Sequence, residues 1–215
     1  MKKKTGVLVH SFHLQAQGWE KIMWGNPPDL LGRLPKGVKV ALEEEAGMLF
    51  LGCGFDSGPN KEIESEFNRQ YLLDHFRALS EFAEFQVVDL EKAKETIEQI
   101  LVLDMSSLST AQEAAFAGKN FEESGVEKVI IISSLTHAPR CLNEALKFYG
   151  RRGSKIAPHN VSVQVSDTGW APNEEVVIYE PPHRPDDFLG GFRRRLANAL
   201  IRPEKLLEIK NALGW

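Results

Sequence analysis

Ser133, Ser134, His137 and Arg140 follow one another closely in the stretch VIIISSLTHAPRCLNEALKFYG, residues 129 to 150. An imidazole titrates near neutral pH and can take or give a proton in a reaction. A guanidinium in the first turn of a helix opposes the helix dipole and is mildly unfavourable by itself. An anionic ligand reverses that sign, because the guanidinium and the N-terminal amides can bind one phosphate or carboxylate together. The alternative without a ligand is a histidine bonded to a carbonyl and an arginine paired with a nearby glutamate. A serine-hydrolase triad is set aside, since no G-x-S-x-G elbow is present and sequence neighbours on one loop rarely form a triad.

Two other segments carry polar residues where a strand gives way to a helix: GCGFDSG at 52 to 58 and SSLST at 106 to 110. Glycines 52 and 54 either let backbone approach a ligand or serve a structural turn. His10 and His13 lack a third ligand nearby and read as a loop-and-core pair rather than a metal site. Neither HExxH nor HxH occurs, so no metal site is expected.

These residues need a sheet to hold them. GVLVH at 6 to 10, MLFL at 48 to 51 and VIII at 129 to 132 read as buried strands, and EFQVVDLE at 84 to 91 as a further one. Residues 25 to 37, with their prolines and glycines, read as a surface connection rather than a helix. From Glu62, the recurrence of Ile63, Phe67 and Tyr71 marks an amphipathic helix with Leu72, Phe76 and Leu79 on an adjoining stripe. EKAKETIEQILVL reads as a helix running into a short extended piece. Ser109 or Thr110 can open a helix that Gly125 closes, with Ala111, Ala114, Ala115 and Gly118 letting it approach a sheet. Pro139 suits the first turn of the next helix. VSVQV and EEVVIYE read as late strands, with an edge hairpin as one arrangement, and residues 186 to 215 as a helical tail. Strand and helix alternate as in a parallel sheet, which predicts one α/β domain over 1 to 215. Its form is a three-layer, Rossmann-like arrangement with a mainly parallel sheet, helices on both faces and a C-terminal helical tail.

The formal net charge of −4 argues against a surface built to neutralise nucleic acid, so any anion site is local. Cys53 and Cys141 suit two reduced thiols. The apolar run after MKKKT is only GVLV, too short for a signal core or a membrane span, and the expectation is a cytoplasmic protein without a membrane partner.

The stretch from SSLSTAQEAAF to IIISSLTHAPRC resembles the second half of the SanA, ElyC and YdcF family of Rossmann-like proteins. In that family a hydroxyl pair and an acid or amide open one helix, and a strand ending in Thr/Ser-Ser leads to a histidine and an arginine. Arg33, Gly52, Gly54 and Glu64-Ser65 match its upstream pattern loosely. The resemblance covers about 35 residues and implies one cleft at the carboxyl edge of the sheet. There Arg33, Gly52, Gly54, Thr110, Ser133, Ser134 and Arg140 bind a small anionic ligand, nucleotide-like or phosphorylated. It further implies that His137, with Glu64 or Glu113, carries any hydrolytic or group-transfer step. Glu113 stands where the family usually has asparagine and can only accept hydrogen bonds. LGCGFDSG also resembles the first motif of class I S-adenosylmethionine-dependent methyltransferases, which would make S-adenosylmethionine the cofactor and Asp89 a ribose ligand, although Asp89 lies beyond the usual spacing. A third reading is a noncatalytic interaction module that contacts its partner through the tail.

Overall fold

The computed structural model describes residues 4–16, 18–56 and 62–168, all within one compact unit spanning Met1–Tyr179. The expected strand EEVVIYE and the tail from 186 onward lie outside the described residues.

Five parallel strands form the central sheet: β1 (Thr5–Val9), β4 (Met48–Leu51), β5 (Leu101–Leu103), β6 (Lys128–Ser133) and β7 (Val161–Val165). Their spatial order is β5-β4-β1-β6-β7, so the chain builds outward from β1 in one direction, then returns past it. This is a doubly wound sheet, and the reversal of strand order falls between β1 and β6. Register is continuous across the centre, Val7 lying opposite Leu49 on one side and Ile130 on the other. VSVQV pairs parallel to β6 as β7, and the hairpin expected between it and EEVVIYE lies outside the described residues.

Because side chains alternate along a strand, the sheet has two apolar faces. Val7, Val9, Leu49, Leu51, Ile130 and Ile132 face a layer made by α2 (Arg33–Glu43), α3 (Glu64–Asp74) and α4 (Leu90–Ile100). Leu8, Phe50, Val129 and Ile131 face α5 (Thr110–Ser124) and α6 (Ala138–Tyr149). Each fully buried aliphatic or aromatic side chain contributes about 1.5–3 kcal/mol, so both faces have ample reason to stay covered. The expected three-layer α/β arrangement is what the described residues form.

Helix ends follow the local chemistry. Ser109 caps α5 by accepting from the Gln112 amide, and Gly125 ends it at a positive φ of 77°. Gly118 approaches α6 rather than the sheet, since a Cβ there would come within 2.2 Å of the Phe148 ring.

Three expectations need correction. Residues 84 to 91 do not form a strand: the chain makes 3₁₀ turns at Phe76–Glu81 and Ala83–Phe85, Val87 is 95% exposed, and Asp89 caps α4 by accepting from the Lys92 amide. Residues 25 to 37 are not all surface connection. A short hairpin of β2 (Gly25–Asn26) and β3 (Leu30–Leu31) precedes α2, which starts at Arg33. Gly37 lies inside that helix because a Cβ there would come within 2.5 Å of Val9 Cγ2. In α3 the fully buried positions are Glu64, Ser65, Asn68 and Leu72, while Phe67 and Tyr71 are half-buried and pack edge-on against Trp19 of α1 (Trp19–Met23).

Candidate functional site

Parallel strands all present their carboxyl ends at one edge, and crossovers start there with helix N-termini whose first amides lack intrahelical partners. At this edge the backbone continues the sheet briefly. His10 N bonds to Ile132 O and Gly52 N to Val9 O, which fixes His10 between the ends of β4 and β6.

His10 is buried, and its Nδ1 lies 2.6 Å from Glu113 Oε2 in the first turn of α5. Burial works against a charge on this ring, but Cys141 and the Glu113 carboxylate outweigh it and raise the pKa to about 10. The Glu113 carboxylate beside it thus favours the protonated form of His10. Its Nε2 has no hydrogen-bond partner among the described residues. The His137 ring meets it edge-on, with centroids 5.8 Å apart.

His137 precedes α6 and is held from both sides. Nε2 lies 3.3 Å from Thr110 Oγ1 at the start of α5, and Nδ1 lies 3.1 Å from Ser133 Oγ at the end of β6 and 3.4 Å from Cys141 Sγ. The Cys141 thiol donates to Ser133 Oγ at 3.5 Å.

Arg33 is 2% exposed at the N-terminus of α2, where burial and the helix dipole both disfavour its charge. Burial lowers its pKa to about 10, which still leaves it charged at neutral pH. Its Nε donates to Ser134 Oγ at 2.9 Å, and Nη1 donates to the carbonyls of His10 and Ser11 at 3.1 and 2.6 Å. All three acceptors are neutral oxygens. Glu113 and Glu64 act on the guanidinium through space, without a hydrogen bond to it among the described residues.

The edge is completed from α3 and the loops after β4 and β5. Glu64 Oε1 lies 3.8 Å from His13 Nδ1, and Asn68 Nδ2 donates to Ser11 Oγ at 2.7 Å, while Ser11 Oγ donates to Gly52 O. Asp104 ends β5 and holds its loop by accepting from the Ser106 and Ser107 amides at 3.0 and 2.9 Å. Ser65 Oγ donates to Asp104 O at 2.7 Å.

The structure thus brings Arg33, Ser134, Ser133, His137, Thr110 and Glu113 into one chain of contacts around the ends of β1 and β6, with Glu64 reaching the same edge through His13. Arg140 is exposed in the first turn of α6, one turn beyond His137. Gly52 and Gly54 have packing explanations. A Cβ on Gly52 would come within 2.3 Å of Glu113 Oε2, and one on Gly54 within 2.1 Å of the Ser106 backbone nitrogen. Asp89 is a helix cap on α4 and does not follow a strand.

Comparison with protein-family models, curated proteins and solved structures finds no significant match.

Sequence reasoning did not place His10, Ser11, Asn68, Cys141 or Asp104 here. His10 immediately follows a buried strand, and that position at the carboxyl end of β1 was the available signal. Asn68 lies one helical turn after Glu64, on the same face. No group of three or more metal-ligating side chains is found among the described residues, and no helix there is long and apolar enough to cross a membrane.

Proposed function

We propose that this protein binds a small anionic ligand, phosphorylated or nucleotide-like, at the carboxyl ends of β1 and β6, and that it is a distant member of the SanA, ElyC and YdcF group. One observation carries the reading: among the described residues, Arg33 is a buried cation whose hydrogen bonds all go to neutral oxygens at the point where strand order reverses. Glu113 is paired with His10, and Glu64 Oε1 lies 3.8 Å from His13 Nδ1. A ligand bearing negative charge would add a directly bonded counter-charge to the through-space effect of Glu113 and Glu64, and doubly wound sheets take ligands at this position. His137 is the group able to move a proton in a hydrolytic or group-transfer step, with Glu113 acting behind it through His10. The S-adenosylmethionine reading loses its ribose-binding acid now that Asp89 caps a helix. A partner-binding role for the tail lies outside the described residues.

Calorimetric titration with inorganic phosphate, nucleoside mono-, di- and triphosphates and S-adenosylmethionine tests the reading. Binding of a phosphorylated compound is expected, weakened in Arg140→Ala by about 1–3 kcal/mol through loss of a charge-assisted bond. Equal affinity in that variant removes Arg140 from the site. No heat with any phosphorylated compound sinks the reading itself.

A further inference from the structure

We propose that Thr110 is a nucleophile, activated by His137, which takes the phosphoryl group from a phosphomonoester or nucleotide; this rests on the anionic-ligand reading above. Two neighbouring hydroxyls open α5, and they have separate tasks. Ser109 caps the helix by accepting from the Gln112 amide, so Thr110 is released from capping and its Oγ1 lies 3.3 Å from His137 Nε2.

To serve as the base, His137 carries its ring proton on Nδ1, which donates to Ser133 Oγ 3.1 Å away. With Nδ1 protonated, Nε2 carries the lone pair and accepts the Thr110 hydroxyl proton. The arrangement is nucleophile, base and orienting group, assembled from α5, the turn before α6 and β6. Neither serine can take the nucleophile's place: Ser133 orients the ring, and Ser134 is bound by Arg33. The same Ser134 contact fixes the Arg33 guanidinium at the strand end that bears the base, where it can stabilise charge developing on a phosphoryl group.

Thr110 Oγ1 attacks phosphorus, the bond from phosphorus to the leaving oxygen breaks, and the threonine proton passes to His137 Nε2 and then to the departing alkoxide. A water oxygen then attacks phosphorus and gives its proton to His137. The bond to Oγ1 breaks, and Thr110 recovers a proton from the imidazolium. The sum is a phosphoester and water converted to an alcohol and phosphate.

The test uses the full chain with para-nitrophenyl phosphate and ATP, measuring binding, phosphate release and, after acid quench, the phosphorylated residue by mass spectrometry. Phosphorylation of wild type at Thr110 is expected, with turnover retained in Thr110→Ser and reduced at least about a hundredfold in Thr110→Val. His137→Gln is expected to slow phosphorylation about 10²–10⁴-fold, the usual contribution of a positioned base. Thermal melting shows whether each variant is folded. Turnover in folded Thr110→Val within about tenfold of wild type, or wild-type phosphorylation at another residue, overturns the assignment and leaves the ligand reading standing. Binding without turnover by wild type does the same, whereas neither binding nor turnover with any probe overturns both. If Thr110→Val does not fold, the residue phosphorylated in wild type decides.

Discussion

Glu113 and His10 form a buried pair, so the protein's stability depends on the protonation of one ring. The folded-state pKa of His10, about 10, lies above the ordinary 6.5. A raised pKa means the folded state holds its proton more tightly. The stabilisation is therefore complete below about pH 6.5 and drains away as pH rises through about 10. Urea melts at about pH 6, 8 and 10 are expected to show the stability advantage of wild type over His10→Asn shrinking by at least about 1 kcal/mol, and a constant advantage would refute the charged pair. Arg33→Lys is expected to cost about 2–4 kcal/mol in the same melts. A lysine lacks the planar fork that serves Ser134 and two carbonyls at once, and those buried acceptors would lose partners. Thr110, Ser133, Ser134 and His137 were legible in the sequence because they lie at the ends of recognisable elements. The His10–Glu113 pair was not, since its members are 103 positions apart and neither carries a local sign of the other.

The loop after β4 shows how an element can be shaped by the side chain beside it. Gly52→Ala would push a methyl group to within 2.3 Å of Glu113 Oε2, and Glu113 cannot move aside without leaving His10. Expected are a loss of about 1–3 kcal/mol in unfolding free energy and a weaker pH dependence of stability than wild type's, both read from melts. A variant as stable as wild type would mean that the carboxylate is not held. Strands with continuous aliphatic runs were legible, because burial on both faces leaves no other use for VLV, MLFL or VIII. The apolar pair at 87 and 88 misled for the converse reason. Two valines suggest a strand, yet Phe82 and Phe85 supply the burial there while Val87 projects into solvent. The start of α2 was hidden by Pro35 and Gly37, residues that lower helix propensity but are tolerated near an N-terminus and beneath Val9.

For the whole unit, the site is assembled from six separate stretches of chain, which makes ligand binding and folding a coupled equilibrium. A phosphorylated ligand present at a hundred times its Kd is expected to stabilise the fold by about 2.7 kcal/mol. Differential scanning calorimetry should register this as a raised Tm in wild type and a smaller rise in Arg140→Ala at the same ligand concentration. The strand order has a consequence for how the molecule is made. β1 leaves the ribosome first yet occupies the middle of the sheet, and its partner β6 begins at Lys128, over a hundred positions later. Until that partner is synthesised, Val7, Leu8 and Val9 present an unpaired apolar edge. A nascent chain stalled between α2 and β6 is therefore a natural client for chaperones that recognise extended apolar segments.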